Sequence, residues 1–287
     1  MGSDKVVIMS VSPPVVLTIA GFDPSSGAGI TADIKTIAAH GCYGVSAITA
    51  LTVQSTTGVR RIESVNPKLL RDSLDALTED VKVSAVHIGM LGSGDIANEV
   101  AGFLAEARLP NVVLDTVLAS TSGTRLLDEP GRKILTDKLL PLTKVITPNA
   151  QEASILTGLE VTSVEDMKQA AGRLQAMGAA NVVVTGGHLD VATDILSLSS
   201  GEVQMFKSEH IDSDFTHGTG CAFSSAIACH LAQGRPIPEA VLLAKAYVTA
   251  AISNGYPIGE GISPLNHMYR MKSYPAGIAR KLASGRD

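Results

Sequence analysis

The segment Thr216-His217-Gly218-Thr219-Gly220-Cys221 contains the residue types best suited to chemistry. It precedes a predicted helix of small residues, so the successive N–H groups from Gly218 to Cys221 lie at the positive end of that helix and can bind an anion. Transfer of a phosphoryl group to an alcohol requires such charge stabilisation, together with a base near the acceptor hydroxyl. We expect Cys221, in the first turn, to have a lowered thiol pKa. The alternative interpretation is a small buried cysteine beside glycines that only allow close packing.

Oxygen-bearing side chains follow two further predicted strands. Asp115 comes directly after a short apolar strand, and Asn149 and Glu152 lie where another strand passes into a helix. Oxygen donors at strand ends are suited to Mg²⁺ and to the phosphates that it accompanies. Asn149 and Glu152 also have the spacing of an N-cap residue and its N3 partner, so a capping box is the alternative. The segment Thr185-Gly186-Gly187-His188 ends one more strand and offers bare backbone to a ligand.

A glycine-rich loop, Gly21 to Ile30, follows the first predicted strand. It matches neither GxGxxG nor the P-loop, but its glycines allow close backbone approach and the next helix presents free N–H groups. Asp33 lies at the edge of the apolar stripe of this helix, so its carboxylate either reaches a ligand or is buried and paired. Gln54 ends the second strand, where a carboxamide can both donate to and accept from a heteroaromatic ring; an ordinary loop glutamine is the alternative.

These residues require a scaffold in which strand ends meet, and the sequence predicts one. Short apolar segments alternate with helical periodicity, which predicts a parallel sheet with helices on both faces. The predicted strands are 15–20, 45–53, 85–88, 112–114, 144–147 and 181–185, and the predicted helices between them are 27–40, 67–78, 95–108, 131–140, 149–157 and 163–177. Segments 195–198 and 203–207 predict an antiparallel hairpin at an edge. Ligands of such sheets bind at the carboxyl ends of the strands.

Two helices are predicted to close the chain. The first, 219–233, consists largely of small residues and should pack closely, whereas the second, 238–253, is apolar nearly all round and is expected to be buried. We expect a single domain over residues 15–267, with peripheral segments at 1–14 and 268–287.

Composition excludes several classes of protein. The net charge of −5 disfavours a broad nucleic-acid-binding face, and the aromatic content of 3% without tryptophan disfavours base-stacking platforms. Three cysteines without a CxxC spacing indicate neither a zinc ribbon nor a disulfide framework, which fits a reducing cytosol. No apolar stretch reaches ~18 residues, and the start of the chain does not have the pattern of a signal peptide. We therefore expect a cytoplasmic protein whose partners are small molecules, with no nucleic acid and no membrane.

Five blocks occur in order along the chain: LTIAGFDPSSGAGITADIKT, ITALTVQ, IGMLG, ITPNAQEA and THGTGC. In this combination the chain resembles the hydroxymethylpyrimidine kinase / phosphomethylpyrimidine kinase family of thiamine biosynthesis, within the ribokinase-like superfamily. The resemblance covers about residues 15–267. It implies a ribokinase-like three-layer α/β/α sandwich with a mostly parallel central sheet. It also implies an enzyme that uses ATP and Mg²⁺ to phosphorylate 4-amino-5-hydroxymethyl-2-methylpyrimidine and then its monophosphate, and that forms a homodimer.

The resemblance also implies roles for individual residues. Gln54 matches the position that hydrogen-bonds the aminopyrimidine, and Cys221 takes the place where most ribokinase-like enzymes have an aspartate base. The substrate pocket would be walled by Gly21, Asp33, Met90 and Val117, and the anion hole formed by Gly218, Thr219 and Gly220. The nucleotide side would comprise Asn149, Glu152, Thr185, Gly187 and Thr216, with Asp115 and Glu152 serving the metal.

The chain departs from the family pattern at two phosphate-side lysines. The family usually has KSG after the third strand, where this chain has Ala119-Ser120-Thr121-Ser122-Gly123, and KGGH where this chain has Thr185 before Gly186. Lys245 is one candidate for a replacement cation, and a structural lysine is the alternative. Two other functions compete: a pyridoxal kinase of the same superfamily, and a binding protein that has lost turnover.

Overall fold

The computed structural model describes residues 12–120, 123–187, 192–209 and 211–271. The strands within these ranges are β1 (Val15–Phe22), β2 (Tyr43–Ser55), β3 (Gly58–Ser64), β4 (Val83–Ile88), β5 (Val112–Leu114), β6 (Val145–Ile146), β7 (Val182–Val184), β8 (Ala192–Ser197) and β9 (Val203–Ser208). They form one sheet in the order β3-β2-β1-β4-β5-β6-β7-β8-β9. β1, β2 and β4 to β7 run parallel, whereas β3, β8 and β9 join antiparallel at the two edges. The mostly parallel sheet and its edge hairpin are therefore confirmed.

Helices fill the connections as the alternation predicts. They are α1 (Gly29–Ala39), α2 (Pro67–Asp80), α3 (Gly94–Ala107), α4 (Glu129–Ile134), α5 (Ala150–Thr157), α6 (Val164–Ala176), α7 (Thr219–Ala232) and α8 (Ile237–Ser253). The single helix predicted over 131–140 is wrong: α4 passes into a π-helical turn, Leu135–Leu139, and a 3₁₀ turn, Leu140–Leu142. Pro141 has no N–H to continue the α-helical hydrogen bonds, so the helix ends in irregular turns there.

The sheet separates two apolar layers, because successive strand residues point to opposite faces. On one face, residues such as Val16 and Val113 pack against α1, α7 and α8. On the other face, Leu17 and Leu114 pack with the helices from α2 to α6. This is the expected three-layer α/β/α arrangement.

The two closing helices differ in burial. In α7 every residue from Ala222 to Leu231 is buried, which confirms the close packing predicted for a helix of small residues. The prediction that 238–253 is buried holds for one side of the helix, since Ala244 and Tyr247 are buried but Leu242 is 53% exposed. α8 is the outer helix of its layer and buries only the face that contacts α7.

Strand β3 was not predicted and extends the sheet beside the site. It pairs antiparallel with β2, and Gln54 lies opposite Val59 near the hairpin turn. Within the described part of the chain, no helix combines the length and apolar character that a membrane span requires.

Candidate active site

Two glycine-rich loops meet at the start of α7. A Cβ atom at Gly27 would lie 2.1 Å from His217 Cδ2, and one at Gly218 would lie 1.9 Å from the carbonyl oxygen of Gly27. Gly218 also has φ of +84°, a conformation that glycine adopts at little cost. Only glycine at these two positions lets the loop after β1 pack against the loop before α7.

This packing leaves the first turn of α7 open. Gly220 is exposed, and in the described residues no acceptor is found for its N–H or for that of Cys221. The prediction of a continuous row of free donors needs one correction: Thr219 N donates to Thr216 O at 3.2 Å. A positively polarised helix end with exposed donors remains, and it is suited to a phosphate oxygen.

Asp115 stands beside this helix end, and a second carboxylate, Glu152, contacts the neighbouring Thr116. A Cβ atom at Gly220 would lie 3.6 Å from Asp115 Oδ2, and Ser224 Oγ of α7 donates to the same oxygen at 3.3 Å. Burial raises the pKa of Asp115 to about 6, and burial together with the charge of Asp115 raises that of Glu152 to about 8. A nearby cation would relieve the repulsion between these two buried carboxylates.

The donor set fits Mg²⁺, since carboxylate oxygens are the protein ligands that this ion prefers. Among the described residues no three His, Cys, Asp or Glu side chains form a metal-binding cluster. Asp115 and Glu152 would therefore hold the ion with help from water or phosphate oxygens.

Asn149 and Glu152 form the capping box that was the alternative interpretation. Asn149 Oδ1 accepts from Glu152 N at 2.9 Å, and Glu152 Oε2 accepts from Asn149 N at 3.0 Å. Glu152 also accepts from Thr116 Oγ1 and from Leu118 N. The cap thus fixes the Glu152 carboxylate next to β5, so capping and a role at the metal are compatible.

Thr185 and Gly187 lie one strand further along the sheet. Thr185 N donates to Pro148 O at 2.9 Å, which joins the end of β7 to the segment that carries Asn149. Gly187 is exposed, whereas His188 lies outside the described residues. Thr185 therefore lies against the segment that carries Asn149, at the edge where β6 and β7 end.

Asp33 does not line the cleft. Its carboxylate has no exposed surface and accepts from Thr18 Oγ1 at 2.7 Å and from Ser225 Oγ at 2.9 Å. The ring of His87, also fully buried, lies 3.3 Å from Asp33 and 2.9 Å from Ser224 Oγ. Burial opposes protonation of His87, but the charge of Asp33 outweighs it and raises the pKa of His87. Placing Asp33 in the substrate wall is therefore corrected: it belongs to a polar network beneath the site.

The expectation of a lowered thiol pKa at Cys221 is wrong. Burial, followed by the charges of Asp115 and Asp33, raises the pKa of Cys221 well above its usual value. The hydrogen bond from the Gly29 N–H to the sulfur acts in the opposite direction but is the weaker effect. Proximity to a helix N-terminus does not outweigh two nearby carboxylates.

An apolar wall faces the same end of the sheet. Met90 packs with Ala50 and Leu126 in a small cluster, against which Val117 also rests. A Cβ atom at Gly21 would lie 3.0 Å from Met90 Sδ, so glycine leaves room for the thioether to pack close to β1. The structure thus brings together the predicted wall residues Gly21, Met90 and Val117.

Gln54 lies beside two residues that the sequence analysis did not single out. His217 Nε2 is 3.0 Å from Asp23 Oδ2 and 3.4 Å from Gln54 Nε2. Both missed residues lie within the glycine-rich segments already quoted. A polar side chain in each of these two loops was the only indication that the sequence offered of this contact. Only the fold shows that the loops touch.

The replacement cation proposed for the missing lysines is engaged elsewhere. Lys245 Nζ lies 2.7 Å from Asp194 Oδ2, and Asp194 Oδ1 accepts from Gly186 N at 3.2 Å. Lys245 therefore supports the loop after β7 through Asp194, which is the structural alternative.

Comparisons with known proteins show which family the chain resembles in sequence. The family model described as Phosphomethylpyrimidine kinase matches residues 23–266. The chain is 42% identical over 257 residues to the Hydroxymethylpyrimidine/phosphomethylpyrimidine kinase of Haemophilus influenzae, covering 88% of this chain and 96% of that protein. It is 45% identical over 254 residues, 88% of this chain, to the Thiamine biosynthesis bifunctional protein ThiED of Geobacter sulfurreducens, of which it spans only 52%.

Two solved structures are similar over most of the chain. Phosphomethylpyrimidine kinase from Clostridium difficile 630 has a TM-score of 0.75 at 42% identity, covering 83% of this chain and 99% of that chain. An ADP complex of Bacillus subtilis pyridoxal kinase has a TM-score of 0.82 at 36% identity, covering 89% and 98%. These similarities confirm the ribokinase-like fold class.

Proposed function

The chain belongs to the phosphomethylpyrimidine kinase family, and from that premise we propose that it phosphorylates 4-amino-5-hydroxymethyl-2-methylpyrimidine and then the resulting monophosphate. ATP is the phosphoryl donor, and the products serve thiamine diphosphate synthesis. The observation that carries this proposal is the juxtaposition of Asp115, Gly220 and Cys221 where β5 ends and α7 begins.

The geometry supports in-line transfer between two small molecules. Gly21, Met90 and Val117 provide an apolar surface for a flat ring, and Gln54 provides its polar contact. The exposed N–H groups of Gly220 and Cys221 stabilise charge on the moving phosphoryl group. Cys221 lies in that first turn as the candidate base for the acceptor hydroxyl. Asn149, Thr185, Gly187 and Thr216 are assigned to the nucleotide side.

Mg²⁺, held by Asp115 and Glu152, would neutralise phosphate charge when bound. The protein's own contribution is to bury these carboxylates and fix them through Ser224, Thr116 and the cap at Asn149. We propose Mg²⁺ as the metal ion of the reaction and the cytoplasm as the location of the enzyme.

Phosphorylation of pyridoxal is the alternative function, and the similarity to solved pyridoxal kinase structures is the observation that supports it. Pyridoxal kinases of Bacillus subtilis and Staphylococcus aureus are among the similar structures, the latter also with AMP-PCP and pyridoxal. Some pyridoxal kinases use a second cysteine after the third strand, and residues 117–124 of this chain contain none. Gln54 beside an apolar wall favours the aminopyrimidine.

A product assay decides between these functions. Purified protein is incubated with ATP and Mg²⁺ and with either the hydroxymethylpyrimidine or pyridoxal, and monophosphate is resolved from diphosphate. We expect pyrimidine monophosphate and diphosphate. Pyridoxal phosphate alone would favour the alternative kinase, and no product from either substrate would favour a binding protein.

We also propose a homodimer. Ile48, Leu51 and Val53 present exposed apolar side chains on β2, the strand that also carries Gln54. Sedimentation of the wild type and of Leu51→Glu tests this: a dimer that the charge weakens supports it, and a monomeric wild type contradicts it.

A further inference from the structure

We propose that Asp23 and His217 are positioning residues that hold the carboxamide of Gln54 in a single orientation, and thereby determine which hydrogen-bond pattern the site accepts in a heteroaromatic ring. The inference rests on the proposed function, since it takes the ring to be an aminopyrimidine.

The Asp23 carboxylate is a fixed acceptor. Its Oδ1 accepts from Ser25 N at 2.8 Å and Ser25 Oγ at 2.7 Å, and its Oδ2 accepts from Ala28 N at 2.9 Å. Burial raises the pKa of Asp23, but the hydrogen bonds from His217, Ser25 and Ala28 outweigh burial and lower it. An ionised carboxylate can only accept, so the hydrogen in its 3.0 Å contact with His217 lies on Nε2.

The His217 ring is equally constrained. It packs on Gly27 so closely that a Cβ atom there would lie 2.1 Å from its Cδ2, and its backbone N donates to Ser263 O at 3.1 Å. The side chain is mostly buried between the two loops. His217 therefore points its one Nε2 hydrogen at Asp23, and the positive edge of that N–H lies at a fixed point near Gln54.

A second neighbour of Gln54 has the opposite polarity. Thr52 Oγ1 lies 3.0 Å from the carbonyl oxygen of Phe22 and 3.1 Å from the Gln54 carboxamide. A hydroxyl has one hydrogen, and a carbonyl can only accept, so Thr52 donates to Phe22 and accepts from Gln54.

The two neighbours together select one orientation of the carboxamide. With Nε2 toward His217, two donors face each other at 3.4 Å. Rotation by 180° places the carbonyl toward His217, where it shares the Nε2 hydrogen with Asp23 in a three-centre hydrogen bond, and places the NH₂ toward Thr52. The two orientations differ only in hydrogen-bond chemistry. One N–H and one lone pair of the carboxamide then remain for a ligand, and the positions of this donor and this acceptor are fixed.

That fixed order distinguishes ligands that have the same shape. In an aminopyrimidine the ring nitrogen accepts a hydrogen bond and the adjacent amino group donates one. Replacing the amino group by an oxo group changes that donor into an acceptor. A polar site held in one orientation rejects the mismatched ring, because a buried group would be left unpaired. Without His217 the carboxamide can rotate and accept either ring.

The test compares His217→Leu, which removes the donor, with His217→Gln, whose Nε2 can replace it. Kinetics are measured with the 4-amino pyrimidine and its 4-oxo analogue. We expect His217→Leu to raise KM for the amino substrate ~10-fold, with kcat and the KM for ATP within about 3-fold of wild type. The preference for amino over oxo should fall ~10-fold, and His217→Gln should restore most of it.

A double-mutant cycle isolates the coupling. If His217 acts through Gln54, then His217→Leu should change KM less than about 2-fold in a Gln54→Ala background. An undiminished effect there, or an unchanged amino/oxo preference in folded His217→Leu, would overturn the inference while leaving the kinase function intact. A wild type that neither binds the pyrimidine in calorimetry nor phosphorylates it would overturn both.

Discussion

Cys221 shows how neighbours determine the chemistry of one residue. Its sulfur accepts from the Gly29 N–H, yet burial and the carboxylates of Asp115 and Asp33 raise its pKa. Thiolate is therefore scarce at neutral pH and increases as the pH rises. A kinase that uses this thiolate as its base should have a kcat that still rises above pH 8.

Removing the thiol tests this role. We expect Cys221→Ala to lower kcat by ~10²–10⁴, the range typical of a general base, and to flatten the alkaline rise. Cys221→Ser is the matched control, because it keeps a hydrogen-bonding group of similar size. A loss of less than ~10-fold in folded Cys221→Ala would exclude a general-base role.

Ser26 carries local backbone strain. Its φ of +61° lies in the left-handed region, and Lys35 Nζ donates to its carbonyl at 2.7 Å. We expect Ser26→Gly to stabilise the protein by ~0.5–1 kcal/mol, since relief of the Cβ clash exceeds glycine's entropic cost. Denaturant unfolding measures the change. Ser25→Gly is the control and should destabilise, because it removes a hydrogen bond to Asp23; equal effects of the two variants would contradict the argument.

Residue types alone predicted much of the candidate site but not its hydrogen bonds. Gln54, Asp115 and Glu152 were predicted from strand ends, because parallel strands end at one edge of the sheet. Whether Asp33 faced a ligand or the interior remained open, since helical periodicity placed it at the edge of the stripe. The pairing of Asp23 with His217 joins two loops far apart in sequence, and no periodic pattern indicates that contact.

At the scale of elements, the loop before α7 depends on glycine for space. A Cβ atom at Gly218 would lie 1.9 Å from Gly27 O, whereas Gly41 has a similar positive φ of +71° with nothing within 4 Å. Gly41→Ala should therefore cost only the conformational penalty, about 1 kcal/mol. Gly218→Ala should cost more and displace the anion site, so we expect kcat/KM to fall ~100-fold or more. Urea unfolding and steady-state kinetics on both variants check this, and equal losses would show that the contact with Gly27 is unimportant.

Elements that lacked a periodic signal were the ones missed. β3 has a polar outward side and only one pairing partner, so its residues do not alternate cleanly. The chain after α4 retains helical periodicity in its side chains, but Pro141 interrupts the backbone hydrogen bonds that an α-helix requires. By contrast, the parallel strands contain apolar runs, and their ends were predicted to within two residues.

The stability of the whole molecule should depend on pH through Glu152. Burial raises the pKa of Glu152 from 4.5 to about 8, so between these values the folded state keeps a proton that the unfolded state has lost. Stability from this group is complete below pH 4.5 and is lost as the pH rises toward 8. The slope for one proton is at most ~1.4 kcal/mol per pH unit.

Glu152→Gln removes that dependence. Without Mg²⁺ or nucleotide, we expect the variant to match wild type near pH 5 and to exceed it near pH 8, as measured by denaturant unfolding across this range. Glu79→Gln, at the exposed end of α2, is the control and should follow the wild-type curve. Parallel curves for Glu152→Gln and wild type would contradict the argument.

The single-domain boundaries 15–267 stay a prediction.

The position of α7 in the chain has a consequence for biosynthesis. Asp33 and His87 are made early, but their partners Ser225 and Ser224 lie on α7, close to the C-terminal end. While α7 is still inside the ribosome, Asp33 and His87 have the Thr18 hydroxyl but lack those of Ser224 and Ser225, and one face of α1 and β1 is uncovered. We expect this stage to be the one most dependent on chaperones. Proteolysis of ribosome-bound chains stalled before and after α7 emerges measures this; equal resistance at both points would show that the sheet is already stable without its last layer.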